Sequence, residues 1–218
     1  GGLAGSAIIM GFKRGLFSNE AGLGSSPNVA ATAVTKHPVT QGLIQTVGIY
    51  TDTIVICTCT ALIIMCSGLY DSGQNGVNLT QSAMQAHIGT VGLYVIADLI
   101  FFFAFSSVIA NTYSAETNVR WMAEELHSRH IELVLTMFRC LVAVCVLIGG
   151  CISIDMAWGL VDFAQSVMAI CNIMALCFLG KYAIRCLDDY LTQLRAGIKY
   201  PEYHKETIPE IADDTTCW

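Results

Sequence analysis

Four long apolar segments dominate the sequence, and shorter polar stretches separate them. They cover residues 42–67, 91–112, 132–151 and 156–179. Each reaches the roughly 20 residues that an α-helix needs to cross the hydrocarbon core of a bilayer. A fifth apolar segment, residues 1–12, resembles only the end of such a helix. The pattern therefore predicts an all-α membrane protein with four transmembrane helices plus a partial one.

Polar side chains interrupt two of these segments. The first contains the patch 50–53 with Asp52, and the fourth contains Asp162 and Asn172. Such groups are costly inside a bilayer and should face the protein interior. They serve either as hydrogen-bonding partners between helices or as the lining of a transport pathway, and the sequence alone leaves both interpretations open.

The second apolar segment ends with a group of candidate cation ligands. Ser107 and Asn111 are four residues apart and therefore share one face of a helix. Hydroxyl and amide oxygens are hard ligands of the kind that small hard cations bind. A serine in a transmembrane helix also commonly donates to its own backbone carbonyls, so a purely structural role is the alternative.

Residues 11–27 are the one stretch in which charge, glycine and small polar residues crowd together between apolar segments. Each glycine inside a helix costs roughly 1 kcal/mol relative to alanine, and four of them occur here. We expect the exit of a broken helix and the loop that follows it. The preceding glycines, Gly1, Gly2 and Gly5, either allow close helix packing or border an unwound point near a ligand.

Composition supports a membrane location and argues against a nucleic-acid partner. Apolar residues make up 54% of the chain and charged residues 13%, whereas soluble domains carry about 25% charged residues. The net charge is −6, and acidic residues cluster in the tail, residues 181–218. An acidic chain with so few charges is suited to burial in lipid and not to binding a polyanion.

Lysine and arginine alternate between the connections. They occur before the first full span, between the second and third, and after the fourth, whereas the other two connections contain none. The positive-inside rule then places the loop after Arg14 and the C-terminal tail in the cytoplasm.

Several motifs resemble one family of carriers. The run GFKRGLFSNEAGLGSSP is similar to the signature of the alanine/glycine:cation symporter family, and later runs match in the expected order: HPVTQGLIQ, FAFSSVIAN, FRCLV and WGLVD. Members of that family are about twice as long, and this chain resembles their C-terminal half. The resemblance implies sodium-coupled uptake of a small neutral amino acid, alanine or glycine, by alternating access.

The resemblance also implies a fold and a site. The fold would be the LeuT-like transporter fold with two inverted repeats, of which this chain would hold most of the second. Ser106 and Ser107 would bind the sodium ion, and Asn111 would face the substrate. The backbone of the first glycines, Gly1, Gly2 and Gly5, would meet the amino acid. The carrier would be a monomer in a bacterial cytoplasmic membrane, and this chain alone would not transport.

Two other classes of protein are less consistent with the sequence. An intramembrane enzyme would need a nucleophile with a base or a metal site at depth, and neither a GxSxG nor an HExxH pattern occurs. A channel, or another polytopic membrane protein without coupled transport, remains the alternative, although a pore would not require a helix broken by glycine.

Overall fold

The computed structural model describes residues 2–127 and 129–212, in which all regular structure is helical. The helices are α1 (Gly2–Asn19), α2 (Ser26–Ala30), α3 (Pro38–Tyr50), α4 (Thr58–Ser67), α5 (Val77–Ile88), α6 (Thr90–Glu125), α7 (Ile131–Gly149) and α8 (Ile154–Arg195). The chain divides into two compact units. The first comprises residues 1–49 and 146–218, and the second comprises residues 50–145.

Four helical stretches of the described chain are long and apolar enough to cross a membrane: Pro38–Ser67, Thr90–Glu125, Ile131–Gly149 and Ile154–Arg195. They contain the four predicted spans almost completely, so this part of the prediction is confirmed. The second and fourth extend well beyond the predicted ends, because their polar continuations are rich in residues that favour helix. Their apolar side chains are largely exposed, as expected of surfaces that lipid or further helices cover.

The first of these stretches is not a uniform α-helix. Between α3 and α4, residues Thr51–Cys57 form a π-helix, whose turns contain an extra residue. This irregular segment contains most of the polar patch 50–53, including Asp52. The patch that stands out in the sequence therefore coincides with a local change in backbone geometry.

In the second unit, α5 packs against both α4 and α6. A ring nitrogen of His87 lies 3.0 Å from the carbonyl oxygen of Ile63, which links α5 to α4. On α6, a Cβ atom at Gly92 would lie only 2.5 Å from the carbonyl oxygen of Met84, so a glycine is required at this crossing. Between α6 and α7, Arg139 donates from Nε to Glu116 at 3.0 Å. Arg139, a cation within the third apolar segment, therefore has a protein partner.

The best-buried part of the first unit is formed by the chain after α8. Residues 198–212 fold back onto α8, and the amide of Gln193 binds both backbone groups of Glu202, at 2.9 and 3.0 Å. The Tyr203 N–H donates to the Lys36 carbonyl at 3.0 Å. Ile208 and His37 are fully buried. Residues 198–212 of the acidic tail are thus packed over the end of α8, and we name them the tail cap.

Two ion pairs at the edge of the tail cap predict how its stability depends on pH. The pKa of the Glu202 carboxyl lies below its ordinary value because Lys36 donates a hydrogen bond to it, and Arg185 does the same for Glu210. Both carboxylates therefore stabilise the cap above their ordinary pKa, and the contribution disappears as the pH falls through the lowered values. We expect the melting temperature of wild type to exceed that of Glu202→Gln/Glu210→Gln at pH 7.

The same difference should shrink and then vanish as the pH falls through the lowered pKa values, because the carboxyls of wild type then become neutral as well. The control is Glu206→Gln, which removes a tail charge that forms no ion pair in the described chain. A gap between wild type and the double variant that stays constant from pH 7 to pH 3 would contradict the assignment.

Candidate functional site

The helix break lies at residues 20–25, which we name the break loop. Helix α1 ends at Asn19 and α2 begins at Ser26. Between them Glu20, Gly22 and Gly24 have φ angles of 52°, 82° and 91°, in the left-handed region that most residues avoid. The Leu23 N–H donates to the Glu20 carbonyl at 3.2 Å, and the Ser25 hydroxyl donates to the Glu20 carboxylate. Local bonds thus hold an otherwise unfavourable backbone.

The predicted loop was too long. Residues 11–19 belong to α1, which continues through Gly11 and Gly15 without interruption. Two isolated glycines cost about 2 kcal/mol of helix propensity, but every backbone group left unpaired in lipid costs more. The break therefore occurs only where successive positive φ angles make a helix impossible.

One side chain of α8 anchors the break loop. Asn172 donates from Nδ2 to the Gly22 carbonyl at 2.9 Å. Its Oδ1 atom would lie 2.9 Å from a Cβ atom placed on Gly24, so the loop approaches α8 too closely for a side chain there. The interpretation of Asn172 as a hydrogen-bonding partner between elements is therefore confirmed.

The Asp162 carboxylate lies against two cationic side chains of α1. Lys13 Nζ lies 2.6 Å from Oδ2, and Arg14 Nη1 lies 3.5 Å from Oδ1. The Arg14 guanidinium also stacks over Trp158, 3.8 Å from the ring centroid, and Phe17 meets the same ring edge-on at 5.1 Å. We call these residues the charge cluster. One carboxylate neutralises one of its two cations, and the face of the tryptophan ring stabilises the guanidinium.

Contacts along α8 give the height of each part of the preceding chain along the axis of that helix. Asp162 contacts Lys13, Asn172 contacts Gly22, and Asp189 contacts His37. At 1.5 Å per residue, these three levels are separated by about 15 and 25 Å along the helix axis. Residues 13–37 therefore extend about 40 Å beside α8, more than the thickness of a hydrocarbon core.

The contacts with Asp162 give the position of Lys13 and Arg14 along α8. They lie level with Asp162, about 28 Å from Lys181 along α8. These cations and those after the fourth span therefore lie at different heights along α8, and the predicted orientation stays a prediction. Lys36, which pairs with Glu202 beyond the end of α8, still fits the alternation of charge.

The candidate cation ligands lie on α6, in the second unit. Ser106, Ser107 and Asn111 occupy one continuous helix and are exposed within that unit. The Ser106 hydroxyl donates to the Phe103 carbonyl at 3.0 Å, and its oxygen retains lone pairs for a cation. Asn111 follows Ser107 by one turn, as predicted. Their role as ligands stays a prediction.

The glycines expected at the substrate are only partly described. Gly1 lies outside the described residues. Gly2 and Gly5 lie in the first two turns of α1, in the first unit, and open space surrounds the position of a Cβ atom at each. The serines and these glycines thus belong to different units, and their proposed contact with ligand stays a prediction.

Sequence reasoning missed the partners of Asp162 and the position of the break. A signal for the first was present: isolated charges inside apolar segments should pair with each other. Lys13 and Arg14 are the cations nearest to the partial helix, and Asp162 is the acid inside the fourth span. Opposite charges in two segments of this kind predict that those segments are neighbours.

Comparison with known proteins identifies the family. The sequence profile of the sodium:alanine symporter family matches residues 1–205. An uncharacterised transporter of Haemophilus influenzae is 42% identical over 222 residues, covering 100% of this chain and 45% of the relative. A probable sodium/glutamine symporter of Bacillus subtilis is 39% identical over 219 residues, covering 100% and 44%.

A third relative is the sodium/proton-dependent alanine carrier of Bacillus sp. strain PS3, 34% identical over 221 residues, covering 94% of this chain and 48% of the relative. The chain spans about half the length of the curated relatives it matches. The four helices that could cross a membrane are consistent with the match to this family over residues 1–205. The chain belongs to the sodium:alanine symporter family.

Proposed function

We propose that this chain forms the second inverted repeat of a LeuT-like carrier. The carrier would import a small neutral amino acid, alanine or glycine, together with sodium by alternating access. It would act as a monomer in a bacterial cytoplasmic membrane, with the tail cap in the cytoplasm. The names of two relatives, a probable sodium/glutamine symporter and a sodium/proton-dependent alanine carrier, support an amino acid as the substrate and coupling to a cation.

The observation that carries the proposal is the break loop. It interrupts a helix beside Asn172, five residues past the middle of the predicted span 156–179, or about 7 Å along α8. Irregular backbone at such depth is tolerated where it lines a cavity, and its free peptide groups suit the charged ends of an amino acid. The break loop and the glycines before it, Gly1, Gly2 and Gly5, are the proposed backbone ligands of the substrate.

The sodium ion is proposed to bind Ser106 and Ser107 on α6, with Asn111 facing the substrate one turn later. Hydroxyl oxygens, peptide carbonyls and the substrate carboxylate are all hard ligands, the class that a small cation prefers. A helix that carries two adjacent hydroxyls within an apolar run is consistent with such a site. Electrostatic attraction between the ion and the substrate would couple their binding.

The test is uptake of labelled alanine, glycine and glutamine by the complete carrier, reconstituted in liposomes with an inward sodium gradient. We expect saturable uptake of alanine or glycine that disappears when potassium replaces sodium, and no such uptake by the 218-residue chain alone. The variant Ser107→Ala should raise the sodium concentration for half-maximal uptake about tenfold, because one charge-assisted contact is lost.

The matched control is Thr117→Ala, which removes another hydroxyl of α6, one that donates to the Tyr113 carbonyl at 2.9 Å. It should leave the sodium dependence unchanged. Non-saturable flux independent of the sodium gradient would favour a channel. An unchanged sodium dependence in Ser106→Ala/Ser107→Ala would refute the assigned ligands.

A further inference from the structure

The contact between Asn172 and the break loop is specific in two respects. The amide nitrogen donates to one peptide carbonyl, that of Gly22. The rest of the side chain fills the space beside Gly24, where an added Cβ atom would meet Oδ1, Cγ and Cβ of Asn172 at 2.9 to 3.2 Å. A single side chain therefore fixes both the direction of one peptide group and the distance of the loop from α8.

The break loop has few other restraints. Its described hydrogen bonds are local: Ala21 N–H to Asn19 at 3.0 Å, Leu23 N–H to the Glu20 carbonyl, and Ser25 to Glu20. Within the described chain, the bond from Asn172 is the one hydrogen bond that joins residues 20–25 to a helix other than the flanking α1 and α2. Gly22 and Gly24 give the loop many alternative conformations, because glycine permits them at little cost.

The bond joins the break loop to α8 between two acidic residues of that helix. Asn172 lies within the apolar part of α8, about 15 Å along the axis from Asp162 and about 25 Å from Asp189. Without this bond the Gly22 carbonyl would need another hydrogen-bond donor. The peptide groups of the loop would then rotate away from their present orientation. The orientation of the loop thus depends on one amide group of a different helix.

We propose that Asn172 is a positioning residue for substrate binding. By binding the Gly22 carbonyl it orients the remaining peptide groups of the break loop toward the amino acid that enters the break. It does not itself contact the substrate. The identity of that substrate rests on the proposed function, whereas the control of loop conformation does not.

The experiment compares Asn172→Leu with Asn118→Leu in the complete carrier. Asn118 on α6 makes a bond of the same kind, from Nδ2 to the Ser114 carbonyl at 3.0 Å, but within its own helix. The first measurement is hydrogen exchange of the peptide containing residues 20–25, in nanodiscs. We expect exchange to be at least tenfold faster in Asn172→Leu and unchanged in Asn118→Leu.

The second measurement separates KM from kcat for amino-acid uptake. Asn172→Leu should raise KM at least tenfold with a change in kcat of less than threefold, and Asn172→Gln, which keeps the amide donor, should restore most of the affinity. A general loss of stability would lower uptake equally in both leucine variants and leave KM unchanged.

The outcomes are distinguishable. Unchanged exchange of the loop in Asn172→Leu overturns the proposal, whatever the uptake shows. Faster exchange with an unchanged KM overturns the link to the substrate. If the wild-type carrier takes up no amino acid but exchange of the loop is faster in Asn172→Leu, the proposed function is refuted and the control of the loop by Asn172 is supported.

Discussion

Replacing Asp162 by asparagine is expected to reduce the proposed sodium-driven uptake of amino acid by the complete carrier at least tenfold. The change removes the carboxylate that contacts both Lys13 and Arg14, at 2.6 and 3.5 Å. Removing one partner of such a cluster leaves the opposite charges uncompensated. Because both cations lie on α1, ahead of the break loop, their displacement would move the helix that leads to the proposed substrate site.

The measurement is the initial rate of uptake in proteoliposomes at equal amounts of protein, together with the melting temperature in detergent. Asp155→Asn is the matched control, since Asp155 lies in the exposed first turn of the same helix and forms no ion pair in the described chain. Charge exchange in Lys13→Asp/Asp162→Lys should recover part of the activity. Full uptake by Asp162→Asn would show that the charge cluster is dispensable.

The second large effect is expected at His37. Its ring is fully buried and lies edge-on to Tyr190 and Tyr203, with centroid distances of 5.0 and 5.7 Å. The Val39 N–H donates to Nδ1 at 3.2 Å, so Nε2 carries the proton and faces Asp189 at 3.3 Å. His37→Ala deletes the ring and both bonds, which should destabilise the packing of the tail cap by about 2–4 kcal/mol.

Limited proteolysis measures this effect directly, because Lys199 and Lys205 are sites for trypsin within or beside the cap. Cleavage should be at least tenfold faster in His37→Ala, since each 1.4 kcal/mol of opening free energy is about a factor of ten. His204→Ala, which changes an exposed histidine of the cap itself, should be cleaved at the wild-type rate. Equal cleavage of the two variants would show that His37 does not hold the cap in place.

The sequence predicted which segments form helices, but it did not predict which segments contact each other. Runs of about 20 apolar residues have one stable solution in lipid, so all four spans are found as helices. The position of the break was less certain, because Gly11 and Gly15 have the composition of a loop but lie in α1. What decides between helix and loop is a series of positive φ angles at Glu20, Gly22 and Gly24, to which composition gives only a weak clue.

Tertiary contacts depend on distant partners and were harder to foresee. Asp162 and Asn172 were recognised as polar groups in an apolar helix, yet either could have faced a pathway or another helix. The structure assigns them to Lys13 and Gly22, about 150 residues earlier in the chain. The packed tail cap was also unexpected, because an acidic, proline-containing segment resembles a solvated tail until Tyr203 and Ile208 are seen to be buried.

The length of α8 has a mechanical consequence. Its 42 residues extend about 63 Å, roughly twice the thickness of the hydrocarbon core. A helix that projects so far acts as a lever: a small change in its tilt within the bilayer displaces its outer end by a larger distance. Gln193 is hydrogen-bonded to Glu202, and Tyr203 is hydrogen-bonded to Lys36, which lies just before the start of α3. A displacement of the end of α8 would therefore move the start of α3.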